Sequence, residues 1–148
     1  MNTPIEFEIL KKHLKERNLR YTREREKILK SVLFMKDHFN AEELYITLKK
    51  QYKNVALATV YNTLELLTDC GILNRYRFGT DHYRYEKTLD KPSHYHLICL
   101  NCGKITEFNS NDLSQIENII SKKRNFFIKY SSLQIFGICD ECQEDSIR

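Results

Sequence analysis

Four cysteines in the C-terminal half of the chain are spaced as two Cys-x-x-Cys pairs. Cys99 and Cys102 form the first pair, and Cys139 and Cys142 form the second. Thiolates from two such turns supply the tetrahedral, all-sulfur coordination that structural Zn²⁺ prefers. Redox-active thiols are the alternative, but neither pair lies in the strand–helix context of a thioredoxin-type motif. The spacing therefore predicts a structural zinc site that closes the 36 residues between the pairs.

A second group of candidate ligands lies beside the first cysteine pair. The stretch SHYHLICLNCGKITEF, residues 93–108, contains His94, His96 and Glu107. In a strand, successive side chains point to opposite faces, so both histidines lie on the face opposite Cys99. This alternation favours two separate sites over one. Imidazole and carboxylate ligands suit Fe²⁺, Mn²⁺ or Zn²⁺, although an isolated His-x-His pair is also common on protein surfaces.

The composition narrows the class of protein. A length of 148 residues suits one domain or two small ones. The longest apolar runs are too short to cross a bilayer, and the N-terminus lacks the pattern of a secretion signal. We therefore expect a reducing, cytoplasmic setting and no membrane partner. The net charge of +4 comes entirely from residues 1–90, with 17 Lys/Arg against 13 Asp/Glu, as expected if this part meets a polyanion.

The first half of the chain is predicted to form four helices and a hairpin. Thr22 is a candidate N-cap for the second helix, residues 40–43 resemble a capping box for the third, and Gly71 ends the fourth. A turn at Gly79-Thr80-Asp81 joins the two strands of the hairpin. Apolar residues at helical spacing mark the inward faces of the four helices: Phe7, Leu10, Leu14; Ile28, Leu29, Val32, Leu33; Leu44, Tyr45, Leu48; and Leu57, Val60, Leu64, Leu67.

The second half is predicted to be a small α/β unit. After a connector at Lys91-Pro92, two short strands flank a turn at residues 101–104. A helix over residues 110–123 follows, with Leu113, Ile116 and Ile120 at helical spacing. The segments FFIKY, residues 126–130, and SLQIFGI, residues 132–138, are predicted strands, and the second leads to Cys139.

The fourth predicted helix has an unusual outer face. Thr59, Asn62 and Thr63 are short polar residues, and Tyr61 lies beside them. Asn can bind adenine edges, while Thr or an aromatic ring can contact thymine methyl groups in the major groove. With a shorter helix before it and a hairpin after it, the arrangement is that of a winged helix-turn-helix. A helical protein-binding surface is the alternative.

Four segments together resemble the ferric uptake regulator (Fur) superfamily of bacterial metal-dependent repressors. They are LRYTREREKIL, ALATVYNTLELLTDCGIL, HYHLICLNCGKITEF and CDEC. The resemblance implies an α+β protein with a winged helix-turn-helix domain over residues 1–87 and a hinge over 88–92. A small α/β dimerisation and metal-binding domain with the four-cysteine zinc site would follow over 93–148. It also implies a homodimer that binds a double-stranded, palindromic DNA operator. A metal enzyme that uses the histidines and Glu107 is the alternative, but no nucleophile or acid–base motif is evident, so we do not expect an enzyme.

The resemblance also assigns roles to single residues. The four cysteines match structural zinc ligands. A regulatory Fe²⁺ or Mn²⁺ site matches His38, Glu86, His94, His96 and Glu107. Arg20 matches a basic minor-groove contact, and Arg25 matches the arginine of a TPQR-like motif. Tyr61 matches the tyrosine of the recognition helix, followed by Asn62, and we add Thr59 as a DNA-contacting candidate from its place on the same face.

Two branches of the superfamily fit different residues. HYH and TVYN are similar to the peroxide-response regulators (PerR), where Fur proteins commonly have HDH and TVYR. Glu86 and Glu107 are similar to the Fur proteins, because PerR proteins typically have Asp at both positions. We expect a PerR-like repressor that senses peroxide through its regulatory metal. The alternative is a Fur-like sensor of iron, or of another metal, that controls metal uptake genes.

Overall fold

Six helices and five strands form the part of the chain that the computed structural model describes, which is residues 3–35, 38–77, 83–89, 94–128 and 131–147. Residues 1–91 and 92–148 form two compact units. The predicted α+β class is confirmed, while the finer domain boundaries at residues 87 and 93 stay a prediction.

In chain order the elements are α1 Ile5–Glu16, α2 Arg23–Phe34, α3 Ala41–Gln51, α4 Leu57–Asp69, β1 Leu73–Arg77, β2 Tyr83–Lys87, β3 Tyr95–Cys99, β4 Ile105–Phe108, α5 Asn111–Arg124, β5 Gln134–Gly137 and α6 Asp140–Ile147.

Local capping signals fix the start of α2 and α3 and the end of α4. The Thr22 side chain accepts a hydrogen bond from the backbone N–H of Arg25, as predicted. Asn40 and Glu43 form the predicted capping box, with each side chain accepting from the other residue's backbone N–H at 2.8 and 3.0 Å. Gly71 has a φ of +80°, which suits glycine and ends α4 where expected.

The core of the first unit is built from the inward faces of α1 to α4 and from β1 and β2. The predicted apolar stripes are buried there, except that Leu33 and Tyr45 are only half-buried. Helix α4 requires two corrections. Leu57 is 38% exposed, because it lies in the first turn, at the end of the helix. Thr63, which we expected on the outer face, is completely buried. Burial is tolerated because the Thr63 hydroxyl donates to the Thr59 carbonyl at 2.7 Å and so needs no water. A buried threonine with its hydroxyl satisfied packs much like valine.

The hairpin after α4 completes the winged helix-turn-helix. Strands β1 and β2 pair antiparallel, with Leu73 opposite Lys87 and Arg77 opposite Tyr83. The predicted turn at Gly79-Thr80-Asp81 lies outside the described residues. An isolated bridge also pairs Phe39 with Tyr85, so β2 holds the segment that leads into α3.

The second unit contains a three-stranded sheet in the order β4-β3-β5. Strand β3 pairs antiparallel with β4 and parallel with β5. The predicted strand over 126–130 is wrong for residues 126–128, which lack regular structure, and residues 129 and 130 lie outside the described part. Asn125 ends α5 in the left-handed conformation, at a φ of +49°, and Phe126 and Phe127 then follow with exposed side chains. Aromatic β-propensity forms no strand without a neighbouring strand to pair with.

Helix α6 was not predicted. The second cysteine pair was expected to be a turn, yet Asp140 and Glu141 occupy the first turn of a helix, where acidic side chains are favourable. None of the helices in the described ranges combines the length and the apolar character that a membrane crossing requires.

The two units differ in how much apolar surface they bury. The buried core of the first unit draws on all four helices and both strands. Among the residues of the second unit whose burial the structure describes, few are buried, namely Tyr95, His96, Ile98, Cys99 and Cys142. Helix α5 has no buried residue at all within its range. The second unit therefore needs more than its own core to be stable.

Candidate metal centres and DNA-binding surface

The four predicted zinc ligands come together in the second unit. Cys99 ends β3, Cys102 lies in the following turn, Cys139 follows β5, and Cys142 is in α6. Their sulfur atoms all lie within 4.8 Å of one another, and the Cys102 and Cys139 sulfurs are 3.8 Å apart. A tetrahedral Zn²⁺ about 2.3 Å from each sulfur requires sulfur separations of about 3.8 Å. The donor set and its spacing therefore fit zinc.

The backbone prepares one of these thiols, that of Cys99, for metal binding. The N–H of Cys139 points at the Cys99 sulfur at 3.4 Å, and the Gly103 N–H donates to the Cys99 carbonyl at 3.0 Å. The N–H of Cys139, followed by that of Cys102, lowers the pKa of the Cys99 thiol to about 6. Because the thiolate is the metal-binding form, this environment favours coordination near neutral pH.

Three candidate regulatory ligands meet on the β3–β4 hairpin. His96 lies directly opposite Glu107 in the antiparallel register. The His94 Nε2 and Glu107 Oε1 atoms are 3.7 Å apart, and the rings of His94 and His96 meet edge to face with centroids 4.9 Å apart. The side chains of His96 and Glu107 therefore share one face of the sheet, on which His96 is buried and Glu107 is exposed. The second unit thus presents two imidazoles and one carboxylate together.

The other two candidate ligands meet in the first unit. Phe39 and Tyr85 exchange two backbone hydrogen bonds, with N···O distances of 3.1 and 2.7 Å. This bridge brings their chain neighbours, His38 and Glu86, side by side. The His38 Nε2 atom consequently lies 3.6 Å from Glu86 Oε1, and Glu86 is completely buried. Two ligands of one metal ion about 2.1 Å away are roughly 3–4 Å apart, so the separation in each group fits metal ligation.

The predicted DNA-contacting residues of α4 lie in the winged helix-turn-helix. Tyr61 is 42% exposed and Asn62 is exposed, while Thr59 is half-buried. The Tyr61 hydroxyl donates to Glu42 on α3 at 3.2 Å. Desolvation and the Glu42 carboxylate raise the pKa of Tyr61, so its hydroxyl stays protonated and able to donate.

Arg20 and Arg25 lie at the start of α2. Arg20 is exposed just before the helix, and Arg25 is half-buried in its first turn. The Arg25 guanidinium donates to the backbone carbonyl of Arg20. Arg25 therefore fixes the backbone on which the Arg20 side chain is mounted.

Comparison with known proteins identifies the family. The model of the ferric uptake regulator family matches residues 16–136. The ferric uptake regulation protein of Campylobacter jejuni is 34% identical over 150 residues, which cover 97% of this chain and 95% of that protein. The chain belongs to the ferric uptake regulator family. This is a family of metal-responsive transcription regulators, and the two-unit architecture and cysteine cluster agree with it.

Other relatives in the Fur family carry different names. The peroxide-responsive repressor PerR of Staphylococcus aureus is 32% identical over 131 residues, covering 88% of this chain and 87% of that protein. The Helicobacter pylori regulator Fur, whose structure reveals three functional metal-binding sites, superimposes with a TM-score of 0.77 at 26% identity. That superposition covers 97% of this chain and 95% of the other. The chain is about equally similar in sequence to a Fur protein and to a PerR protein, so sequence identity does not assign it to either branch.

The sequence of this Fur-family chain did not predict the roles of two acidic residues as hydrogen-bond acceptors. Glu42 accepts the hydrogen bond of Tyr61 from a different helix, 19 positions away. Glu117 on α5 accepts from the hydroxyls of Tyr95, at 2.9 Å, and Ser131. No periodicity links residues in separate elements, so only the packing of the helices reveals these partners.

Proposed function

We propose that this chain is a homodimeric, metal-dependent transcriptional repressor of the cytoplasm. The observation that carries the proposal is the division of candidate metal ligands between the two units, beside a winged helix-turn-helix. His38 and Glu86 belong to the unit with that DNA-binding motif, and His94, His96 and Glu107 belong to the other. Regulation of DNA binding, rather than turnover of a substrate, is the role that suits such a division.

Structural Zn²⁺ is proposed at the four cysteines. The sulfur spacing supports this ligand, as does the small core of the second unit. A metal held by residues at both ends of the unit adds folding free energy where few apolar groups are buried.

Fe²⁺ or Mn²⁺ is proposed at a regulatory site formed by both groups of histidine and glutamate ligands. Three imidazoles and two carboxylates form a mixed donor set typical of these ions, and Glu86 and His96 are already shielded from water. If both groups bind one ion, the ion favours the arrangement of the units in which the groups meet, by its differential affinity. The donors of His38 and Glu86 then tie the DNA-binding unit to the second unit.

Double-stranded DNA is the proposed partner of the first unit. Helix α4 would enter the major groove with Thr59, Tyr61 and Asn62 toward the bases, while Arg20 contacts the backbone or the minor groove. The exposure of Tyr61, Asn62 and Arg20 supports this orientation. Two copies in a symmetric dimer would read the halves of a palindromic operator.

A second copy of the chain is the proposed partner of the second unit. Helix α5 exposes Ile116, Ile119 and Ile120, and β5 exposes Ile135 and Phe136. Exposed apolar side chains at this density, in a unit with so small a core, are typical of an interface between subunits.

Peroxide sensing is the proposed signal, by similarity to PerR. Bound Fe²⁺ would activate the O–O bond of peroxide for cleavage in that chemistry, while the ligand imidazole, as it is oxidised, supplies the two electrons that reduce the peroxide. One peroxide oxygen enters a ligand imidazole, at His38, His94 or His96, and the other leaves as water. An oxidised imidazole is a poor ligand, so the tie between the units is lost and the repressor releases DNA. HYH and TVYN favour this branch.

Metal-level sensing without peroxide chemistry is the second candidate, and Glu86 and Glu107 favour it. We would compare operator binding by the Fe²⁺ and Mn²⁺ forms with and without mild peroxide, followed by mass spectrometry of the ligand peptides. Peroxide sensing predicts a gain of one oxygen on a ligand histidine and loss of DNA binding in the iron form alone. An unmodified, DNA-bound iron form would leave the Fur-like sensor as the function. Operator binding that needs neither metal would overturn both.

A further inference from the structure

The segment that presents His38 is attached to β2 on both of its sides. After His38, Phe39 exchanges two backbone hydrogen bonds with Tyr85, at 3.1 and 2.7 Å. Before His38, the Lys87 ammonium group donates to the carbonyls of Leu33, at 3.1 Å, and Met35, at 2.9 Å. Glu86 lies between these two attachment points on the same strand. Three consecutive residues of β2 therefore define where His38 lies relative to its carboxylate neighbour.

Lys87 is an unusual residue at this place. Helix α2 has no basic residue in its own last turn, and its C-cap is Met35. The carbonyls at a helix C-terminus carry partial negative charge and lack intrahelical partners. The half-buried Lys87 donates to two of these carbonyls through its ammonium group, although it is more than fifty positions from Leu33 and Met35 in the sequence. Charge-assisted hydrogen bonds of this kind are stronger than neutral ones.

We propose that Lys87 is a positioning residue for the regulatory metal site. By clamping the end of α2 to β2, it holds the His38 imidazole near Glu86 before any metal arrives. His38 is then held near Glu86 in the folded protein, so metal binding does not bear the cost of bringing these two ligands together. This inference rests on the proposed function, because it requires that His38 and Glu86 bind the regulatory metal.

The test uses the zinc-loaded, full-length protein and Mn²⁺ as the probe. K87M keeps most of the apolar stem and removes the donors, whereas K87R keeps a cation that can reach two carbonyls. K30M alters an exposed lysine of α2, the helix whose end Lys87 contacts, and is the matched control. We expect K87M to lower Mn²⁺ affinity, measured by electron paramagnetic resonance of the free ion, by about tenfold or more. K87R and K30M should remain within a factor of about two or three of the wild type.

Two further readouts separate positioning from general damage. In the metal-free protein, the Phe39 amide should exchange with solvent faster in K87M, while amides in the middle of α4 keep their protection. At saturating Mn²⁺, K87M should bind DNA like the wild type, because the ligands themselves are intact. Weak DNA binding at saturating metal, without rescue in K87R, would overturn positioning in favour of a general structural role. If K87M does not fold, K87Q, which keeps one neutral donor group, takes its place with the same expectations.

The H38A variant distinguishes failure of this inference from failure of the proposed function. If H38A binds Mn²⁺ as the wild type does, His38 is not a ligand, and both the regulatory site and the role of Lys87 are wrong. If H38A loses Mn²⁺ while K87M and its substitute keep full affinity, the regulatory site stands and only the inference about Lys87 is overturned.

Discussion

Removal of the proposed zinc should destabilise the second unit more than any single contact in its core. The substitution Cys102→Ser isolates the metal, because Cys102 is exposed and its sulfur fills no apolar cavity. The ion would close the chain from Cys99 to Cys142, a loop of about 44 residues. The chain-entropy relation for a cross-link of that length gives about 4 kcal/mol at 25 °C. For a unit of this size, such a loss lowers the melting temperature by about 15 °C or more.

The measurement combines metal analysis with calorimetry at one fixed protein concentration, because a dimer's stability depends on concentration. Wild-type protein should hold one zinc per chain, and C102S should lose it together with the high-temperature transition. Cys70→Ser is the matched control, since Cys70 lies in the first unit, outside the cluster. The reasoning is refuted if C102S keeps its zinc, or if zinc-free protein melts within about 3 °C of the wild type.

Three other substitutions test the remaining surfaces. Tyr61→Ala should weaken operator binding about tenfold or more while leaving zinc content and the dimer unchanged. Equal operator affinity in a fluorescence anisotropy titration would mean that Tyr61 of α4 does not contact the major groove. Arg20→Ala should reduce the slope of log affinity against log salt by about one, and an unchanged slope would mean that Arg20 contacts no phosphate. Ile120→Asp should shift the protein to monomers in sedimentation equilibrium, because it buries a charge in the proposed interface; a persisting dimer would place the interface elsewhere.

Local signals made much of the first unit predictable. The cap at Thr22 and the box at Asn40 and Glu43 involve residues three positions apart, so the sequence contains all of the interaction. Thr63 was misplaced because a hydropathy pattern treats every hydroxyl as a group that needs water. Its hydrogen bond to the carbonyl one turn earlier removes that need.

The second unit was less predictable, because its structure depends on pairing and on metal ligands rather than on periodicity. Strand β5 pairs with β3 in parallel, a contact about forty residues apart that the apolar run alone does not specify. The segment at 126–128 has the same aromatic and β-branched composition, yet it has no strand beside it in the described part of the chain. Composition marks both segments as strands, and only the sheet separates them.

The candidate sites divide in the same way. Spacing alone predicted the four cysteines and the pairing of His94 with His96, because their partners are two or three positions apart. The nearness of His38 and Glu86 has no such signal, since 48 positions separate them. Their association follows from the bridge between Phe39 and Tyr85, which is a property of the folded unit. Only the family resemblance predicted His38 and Glu86 as ligands of one site, because their spacing in the sequence carries no such signal.

The two proposed metals are connected through one hairpin. Strand β3 carries His96 three residues before Cys99, and the turn that holds Cys102 leads directly into β4 and Glu107. A zinc ion that fixes this turn also fixes the register that sets His96 opposite Glu107. In the first unit, β2 does the same for His38 through Tyr85 and Lys87. Each half of the proposed regulatory site is therefore ordered within its own unit. Under the proposed function, the free energy of binding Fe²⁺ or Mn²⁺ would then be available for bringing the units into a DNA-binding arrangement, as a metal-controlled switch requires.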